Sequence, residues 1–162
     1  MQPAPESPPP PVSIALHDLG VPHRIFHHAG PVSSLEQAAL ERGQGAEQVV
    51  RSLVFRLSEG EFVMVLVAGP AQVSWPALRA YLGRSRISMA SEEEVLAATG
   101  YRVGAVSPFG LPAPMRTLAD VSVFVPEEVS IGSGERSVAV ILASADLRQA
   151  LGEVEIGRFV QA

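Results

Sequence analysis

The sequence predicts a single mixed α+β domain, and three observations carry that prediction. Its 162 residues are 47% hydrophobic, enough for one core that buries roughly 70% of the unfolded surface and too few for two. Capping signals and glycine stops recur between apolar runs, as at Ser33 with Glu36 and Ser91 with Glu94. This punctuation marks short helices interleaved with strands. Phe62 to Ala68 is apolar at every position, so it reads as a central strand covered on both faces, with helices and sheet sandwiching it.

The elements follow in order. Val12 to Leu19 reads as a short helix stopped by Gly20, and His23 to His28 as a strand closed by the Ala-Gly-Pro turn. His27 and His28 face opposite ways in a strand, so they cannot share one metal; one lines a pocket or the surface and the other is a half-buried filler. Ser33 to Gly43 is a helix with Leu35, Ala38 and Ala39 on its apolar face. A turn from Gly45 leads into the strand Val50 to Leu57. There Arg51 shares a face with Leu53, Phe55 and Leu57, where a guanidinium is costly unless paired. It is either an ion-paired edge residue or a functional one.

Ser58 to Glu61 is hairpin chemistry before the central strand. Ser74 caps a helix to Leu82 that carries Trp75 as a core residue, with Gly83 behind it. A short strand at Arg86 to Met89 precedes the helix capped by Ser91, whose three glutamates complement the helix dipole and end at Gly100. Met115 to Ala119 and Val121 to Val125 read as strands, Ser130 to Glu135 as a glycine-rich turn, and Ser137 to Leu142 as a strand. Ser144 caps a last helix ending at Leu151; the residues after Gly152 have no assignable element.

Composition excludes several chemistries. The absence of cysteine removes disulfides, thiol nucleophiles and cysteine metal sites, and fits a reducing cytoplasm. All 12 basic residues are arginine, so Schiff-base and lysine general-base chemistry are out. Net charge −5 confines any nucleic-acid contact to a local basic patch, and no aromatic ladder supports base-sequence reading. No apolar run approaches the roughly 20 residues of a membrane span. Residues 1–11 hold six of the 14 prolines and none of the features of a signal peptide, which predicts a disordered proline-rich tail before a domain at 12–162. No phosphate-binding loop, dinucleotide fingerprint, nucleophile elbow or His-Glu-x-x-His motif is present.

The stretch from Ala98 to Gly110 packs glycines at 100, 104 and 110, a Ser107-Pro108 turn and two aromatics between a helix and a strand. It is either a shaped wall with exposed amides or a long surface turn. Gly132-Ser133-Gly134 is either a tight hairpin or an amide nest for an anion.

Three stretches together resemble the YbaK and prolyl-tRNA-synthetase-associated editing domains, which remove amino acids wrongly attached to tRNA. They are Gln48-Val-Val-Arg-Ser-Leu-Val-Phe55, Thr99-Gly-Tyr-Arg-Val-Gly-Ala-Val-Ser-Pro-Phe-Gly110 and Val129-Ser-Ile-Gly-Ser-Gly134. The middle one contains the family's Gly-x-x-x-Pro as Gly104 to Pro108. The resemblance, covering Val12 to Gly152, implies a mixed, partly barrel-like sheet flanked by helices and a cytoplasmic aminoacyl-tRNA deacylase. Its partner is the 3′ acceptor end of aminoacyl-tRNA, and it uses no metal or cofactor and needs neither DNA nor membrane. Arg51 stands where the family has lysine and is expected as a cationic clamp, unable to act as a base at neutral pH; Ala139 stands roughly where some members have an acid. His28, Ser52, Gly104, Ser107, Pro108, Phe109, Gly110, Gly132, Ser133 and Gly134 are the expected substrate-binding residues. The ester carbonyl is expected to be held by backbone amides while water or a substrate group attacks. The alternative is a non-catalytic module binding tRNA ends or aminoacyl-adenosine-like ligands.

Overall fold

A computed structural model describes residues 8–162. The expected tail at 1–11 lies mostly outside the described residues, while Pro10 is buried and Pro11 opens the first helix. The helices are α1 Pro11–Asp18, α2 Leu35–Arg42, α3 Trp75–Leu82, α4 Glu92–Thr99 and α5 Ser144–Leu151. The strands are β1 Arg24–His27, β2 Val50–Ser58, β3 Glu61–Ala68, β4 Ser88–Met89, β5 Thr117–Asp120, β6 Glu128–Gly132, β7 Val138–Ala143 and β8 Glu155–Gly157.

β3 is the middle strand of a five-stranded sheet ordered β4-β2-β3-β5-β8, and Val63 to Ala68 are all buried. Its two-residue period feeds two cores. Met64 and Leu66 join Val54, Val12, Leu16, Val129, Ile131 and Leu147 on one face. Val63, Val65 and Val67 meet Phe55, Leu78, Leu118 and Phe159 on the other. At about 1.5–3 kcal/mol per fully buried aliphatic side chain, this double burial is the main stabilising feature of the fold. Trp75 is half-buried, its ring 5.2 Å from that of Phe55 in an edge-to-face contact. The second sheet, β1-β7-β6, is antiparallel and meets the first through one parallel bridge between Val49 and Ser130. The partly barrel-like sheet is thus two sheets joined at that bridge.

Several local expectations shift. Ser34, not Ser33, caps α2, its Oγ accepting from Gln37 N at 3.0 Å, while Ser33 bonds to the Gln37 side chain. Val121–Phe124 is a 3₁₀ turn rather than a strand, because the Asp120 carboxylate accepts from both the amide and the hydroxyl of Ser122 and closes the chain on itself. β6 runs on to Gly132, so the glycine-rich turn starts three residues later than expected. Ser144 is the first helical residue of α5 rather than its cap, and its hydroxyl donates to Pro126 O.

The segment after Gly152 forms β8, parallel to β5. Glu155 anchors it, accepting from Arg116 Nε at 2.7 Å, Arg116 Nη2 at 2.9 Å and Tyr81 Oη at 2.9 Å. These bonds, that from Arg116 foremost, hold the Glu155 carboxyl below the usual glutamate range. A depressed folded-state pKa stabilises above the ordinary value, about 4.3, and that contribution fades as pH falls through the folded-state value. The protection factor of the Ile156 amide, its exchange rate corrected for the intrinsic pH dependence, is therefore expected to fall on acidification, and Glu155→Gln to flatten that dependence.

Candidate functional site

β4 is two residues long and pairs with β2 only at Phe55 and Arg56. Among the described residues no strand covers that edge of β2 from Val50 to Leu53. A cavity of about 860 Å³ opens there, between the first turns of α2, the start of α4, the 103–106 loop, and the facing ends of β6 and β7. Val54 O accepts from Ala90 N at 3.0 Å, so the two-residue period turns the backbone groups of Ser52 toward the same open edge. The Ser52 side chain shares a strand face with Val50 and Val54, and its Oγ is buried with no hydrogen-bond partner among the described residues. An orphaned buried hydroxyl is uncommon and costs about 1–3 kcal/mol unless something bonds to it.

A polar chain crosses one end of the cavity. Arg42 Nε donates to His28 Nε2 at 3.0 Å, and its Nη1 donates to Ser130 Oγ at 2.8 Å. A guanidinium can only donate, so His28 Nε2 must accept; Nδ1 then carries the proton and donates to Glu41 Oε1 at 2.8 Å. Ser130 in turn donates to Gln44 Oε1 at 2.8 Å. Phe26 meets the His28 ring edge-to-face at 4.9 Å. The bond from His28 is the main reason Glu41 lies below the usual carboxylate range, with Gln37 adding to it. Burial pushes the Arg42 pKa down.

Arg51 lines the cavity, yet its guanidinium faces the other side of the sheet from Ser52. Nε donates to Gly69 O at 2.9 Å and Nη2 to Ala71 O, which fastens the loop between β3 and α3. Burial lowers its pKa as well. Neither Arg42 nor Arg51 enters an ion pair among the described residues.

The glycine-rich loops divide between cavity and brace. Gly104, at φ +96°, lines the cavity with Val103 and Val106, and its amide makes no hydrogen bond among the described residues. Ser107, Pro108, Phe109 and Gly110 are not in the cavity wall. Ser107 is fully buried and accepts from Phe109 N at 3.3 Å; Phe109 is core, its carbonyl accepting from Tyr101 Oη at 2.6 Å. Gly110, at φ +71°, leaves room for that hydroxyl.

Gly132 lines the cavity and also packs on the loop, where an added Cβ would lie 3.0 Å from Ala105 O and still closer to Val106 O. Ser133 lies outside the cavity, bonded to Val138 O at 2.7 Å and Glu135 N at 3.1 Å, and the Gly134 amide donates to Ala105 O at 3.0 Å. Gly-Ser-Gly therefore braces the pocket loop, with Gly132 alone reaching the cavity. The structure brings His28, Arg51, Ser52, Gly104 and Gly132 together around one space.

Arg42 was not among the expected site residues. The signal was present, since Leu35, Ala38, Ala39 and Arg42 stand at positions one, four, five and eight of α2, placing an arginine on its apolar face.

A family model for the aminoacyl-tRNA editing domain matches residues 29–150. A proline–tRNA ligase of Pelobacter propionicus is 30% identical over 113 residues, 70% of this chain and 20% of that protein. The corresponding ligase of Trichlorobacter lovleyi is 32% identical over 108 residues, 67% of this chain and 19% of that one. The chain spans about a fifth of the length of these ligases. An uncharacterised Bacillus subtilis protein, YwhH, is 31% identical over 117 residues, 72% of this chain and 74% of that protein. Among solved structures, a candidate trans-editing enzyme for prolyl-tRNA synthetase superposes with a TM-score of 0.85 at 24% identity, covering 94% of this chain and 96% of that one. The hypothetical protein APE2540 gives 0.84 at 22%, covering 93% and 99%.

Proposed function

This chain belongs to the aminoacyl-tRNA editing domain family, and we propose on that basis that it is a cytoplasmic hydrolase that deacylates mischarged tRNA in trans. The observation that carries the reading is the cavity of about 860 Å³, most of whose lining falls within the matched residues. Its size suits the aminoacyl-adenosine at a tRNA 3′ end, since ligand sites run to about 300–1,000 Å³.

In the proposed reaction a water oxygen adds to the ester carbonyl carbon, directly or with help from a neighbouring ribose hydroxyl. The bond from that carbon to the ribose oxygen then breaks, and the ribose oxygen takes up a proton. Free amino acid and intact tRNA leave. The chain has neither cysteine nor lysine, and water is the nucleophile. Gly104, with its unengaged amide, and the open edge of β2 at Ser52 are the groups we assign to hold the carbonyl as charge develops. Removing one such donor typically costs about 10²–10³ in rate. Arg51 supports this arrangement by holding the β3–α3 loop with two donors.

Incubation with a panel of mischarged tRNAs tests the assignment: at least one is expected to lose its amino acid well above the buffer blank. If none does, while a lysine-containing relative is active in parallel, catalysis is abandoned and binding of aminoacyl-adenosine analogues becomes the reading. Ser52→Ala is a narrower test. Relief of an unbonded buried hydroxyl is expected to leave the melting temperature unchanged or raised, while loss of a substrate contact lowers kcat/KM roughly tenfold. A lowered melting temperature with unchanged kinetics counts against Ser52.

A further inference from the structure

We infer that Arg42, rather than Arg51, is the cation this cavity presents to its substrate, and that it binds an anionic oxygen there. The inference rests on the deacylase reading for the substrate's identity. Three arginines line the cavity without a carboxylate partner among the described residues; Arg136 is exposed and donates through Nε and Nη2 to Val103 O, while Arg42 and Arg51 are half-buried. Charge in that position is expensive to keep unless something completes it. Arg51 is completed from the protein by the carbonyls of Gly69 and Ala71.

Arg42 is held differently. Its two partners, His28 Nε2 at Nε and Ser130 Oγ at Nη1, are neutral acceptors, and its Nη2 has no partner among the described residues. The hold is rigid, because Glu41 sets the His28 tautomer and Gln44 accepts from Ser130. A planar cationic donor fixed through two of its nitrogens, with the third left without a partner, suits a phosphate or a carboxylate-like oxyanion. On an aminoacyl-tRNA end two groups have this chemistry, the phosphate of the terminal nucleotide and the oxygen of the ester carbonyl as the tetrahedral intermediate forms.

Binding and kinetics separate the two sources. In a calorimetric titration, 5′-AMP is expected to bind the wild-type protein more tightly than adenosine if the phosphate is the ligand, and Arg42→Gln to erase the difference while Arg51→Gln keeps it. With the mischarged tRNA that the wild type deacylates, Arg42→Gln is expected to lower kcat/KM roughly 10- to 100-fold, the range for a lost charged hydrogen bond. A rise in KM alone assigns the phosphate, and an equal fall in kcat and kcat/KM assigns the developing oxyanion. Arg42→Lys, which retains the charge, is expected to recover part of the loss, with unchanged thermal unfolding showing that the fold is intact. Kinetics for Arg42→Gln within twofold of wild type, together with an unaltered AMP-to-adenosine ratio, overturn the inference. If the wild type deacylates no tRNA, the functional proposal fails and the nucleotide titration alone decides on Arg42: no preference for AMP over adenosine then overturns it.

Discussion

Gly132→Ala is expected to lose both stability and activity, because the new methyl has to occupy space already held by the backbone of the pocket loop. It would sit 3.0 Å from Ala105 O and inside contact distance of Val106 O, and a carbonyl in a braced loop cannot swing aside as a flexible side chain can. Overpacking of this kind costs about 1–3 kcal/mol, or roughly 3–10 °C in melting temperature for a domain of this size. The functional effect is expected to be larger. The loop that must move carries Gly104, and a displacement near 1 Å at a reacting centre can cost about 10² in rate. Gly30→Ala is the control, since Gly30, like Gly132, lies outside the positive-φ region and has nothing within 4 Å of an added Cβ. If the two variants lose the same amount, the contact between the loops counts for nothing.

Asp120→Ala is expected to be the most destabilising single substitution outside the hydrophobic core. The carboxylate is 2% exposed and accepts from Ser122 N at 3.0 Å and Phe159 N at 2.8 Å, as well as from the Ser122 hydroxyl. Its loss leaves two backbone amides seeking partners, at about 1–3 kcal/mol each, which corresponds to a fall of roughly 5–15 °C. Phe159 is core, and its carbonyl accepts from Ser74 N at 2.7 Å at the cap of α3, so damage at Asp120 reaches α3. Asp120→Asn keeps one acceptor and is expected to lose less. Thermal unfolding of the pair is the measurement; equal losses would mean that the charge, and not the acceptor geometry, is what stabilises.

Elements with a local cause were legible in the sequence. Ser74 and Ser91 cap their helices where the spacing says they should, Gly83 and Gly100 stop them in left-handed conformations, and the unbroken apolar run at Phe62–Ala68 is the middle of the sheet. Elements decided by distant partners were not. Val121 to Val125 has strand composition, but one buried carboxylate turns it into a 3₁₀ coil; β8 has no pattern of its own and exists because β5 offers it an edge.

The site divides in the same way. Gly104 signalled a positive φ, which it has at +96°, whereas Gly132 and Gly134, read as a tight hairpin or an anion nest, meet the backbone of the pocket loop. The strand parity of Arg51 was readable, whereas the loop carbonyls that take up its donors lie 18 and 20 residues further on. Arg42 was visible as an arginine on an apolar helix face, a feature that acquires meaning only when β6 brings Ser130 against it.

The lone bridge between Val49 and Ser130 has a consequence for the order in which the molecule assembles. The β2–β3 hairpin closes through a four-residue turn and can form in about 1–10 μs. The bridge must join positions far apart in the chain, at a loop-closure cost that grows slowly with length and delays contacts of high sequence separation. The cavity walls come from segments near 28, 52, 104 and 132, so the hairpin can exist without the cavity but the cavity cannot exist without the bridge. A refolding chain would regain strand signal before it regains any capacity to bind a nucleotide, and mild denaturant would remove that capacity before it melts the central sheet.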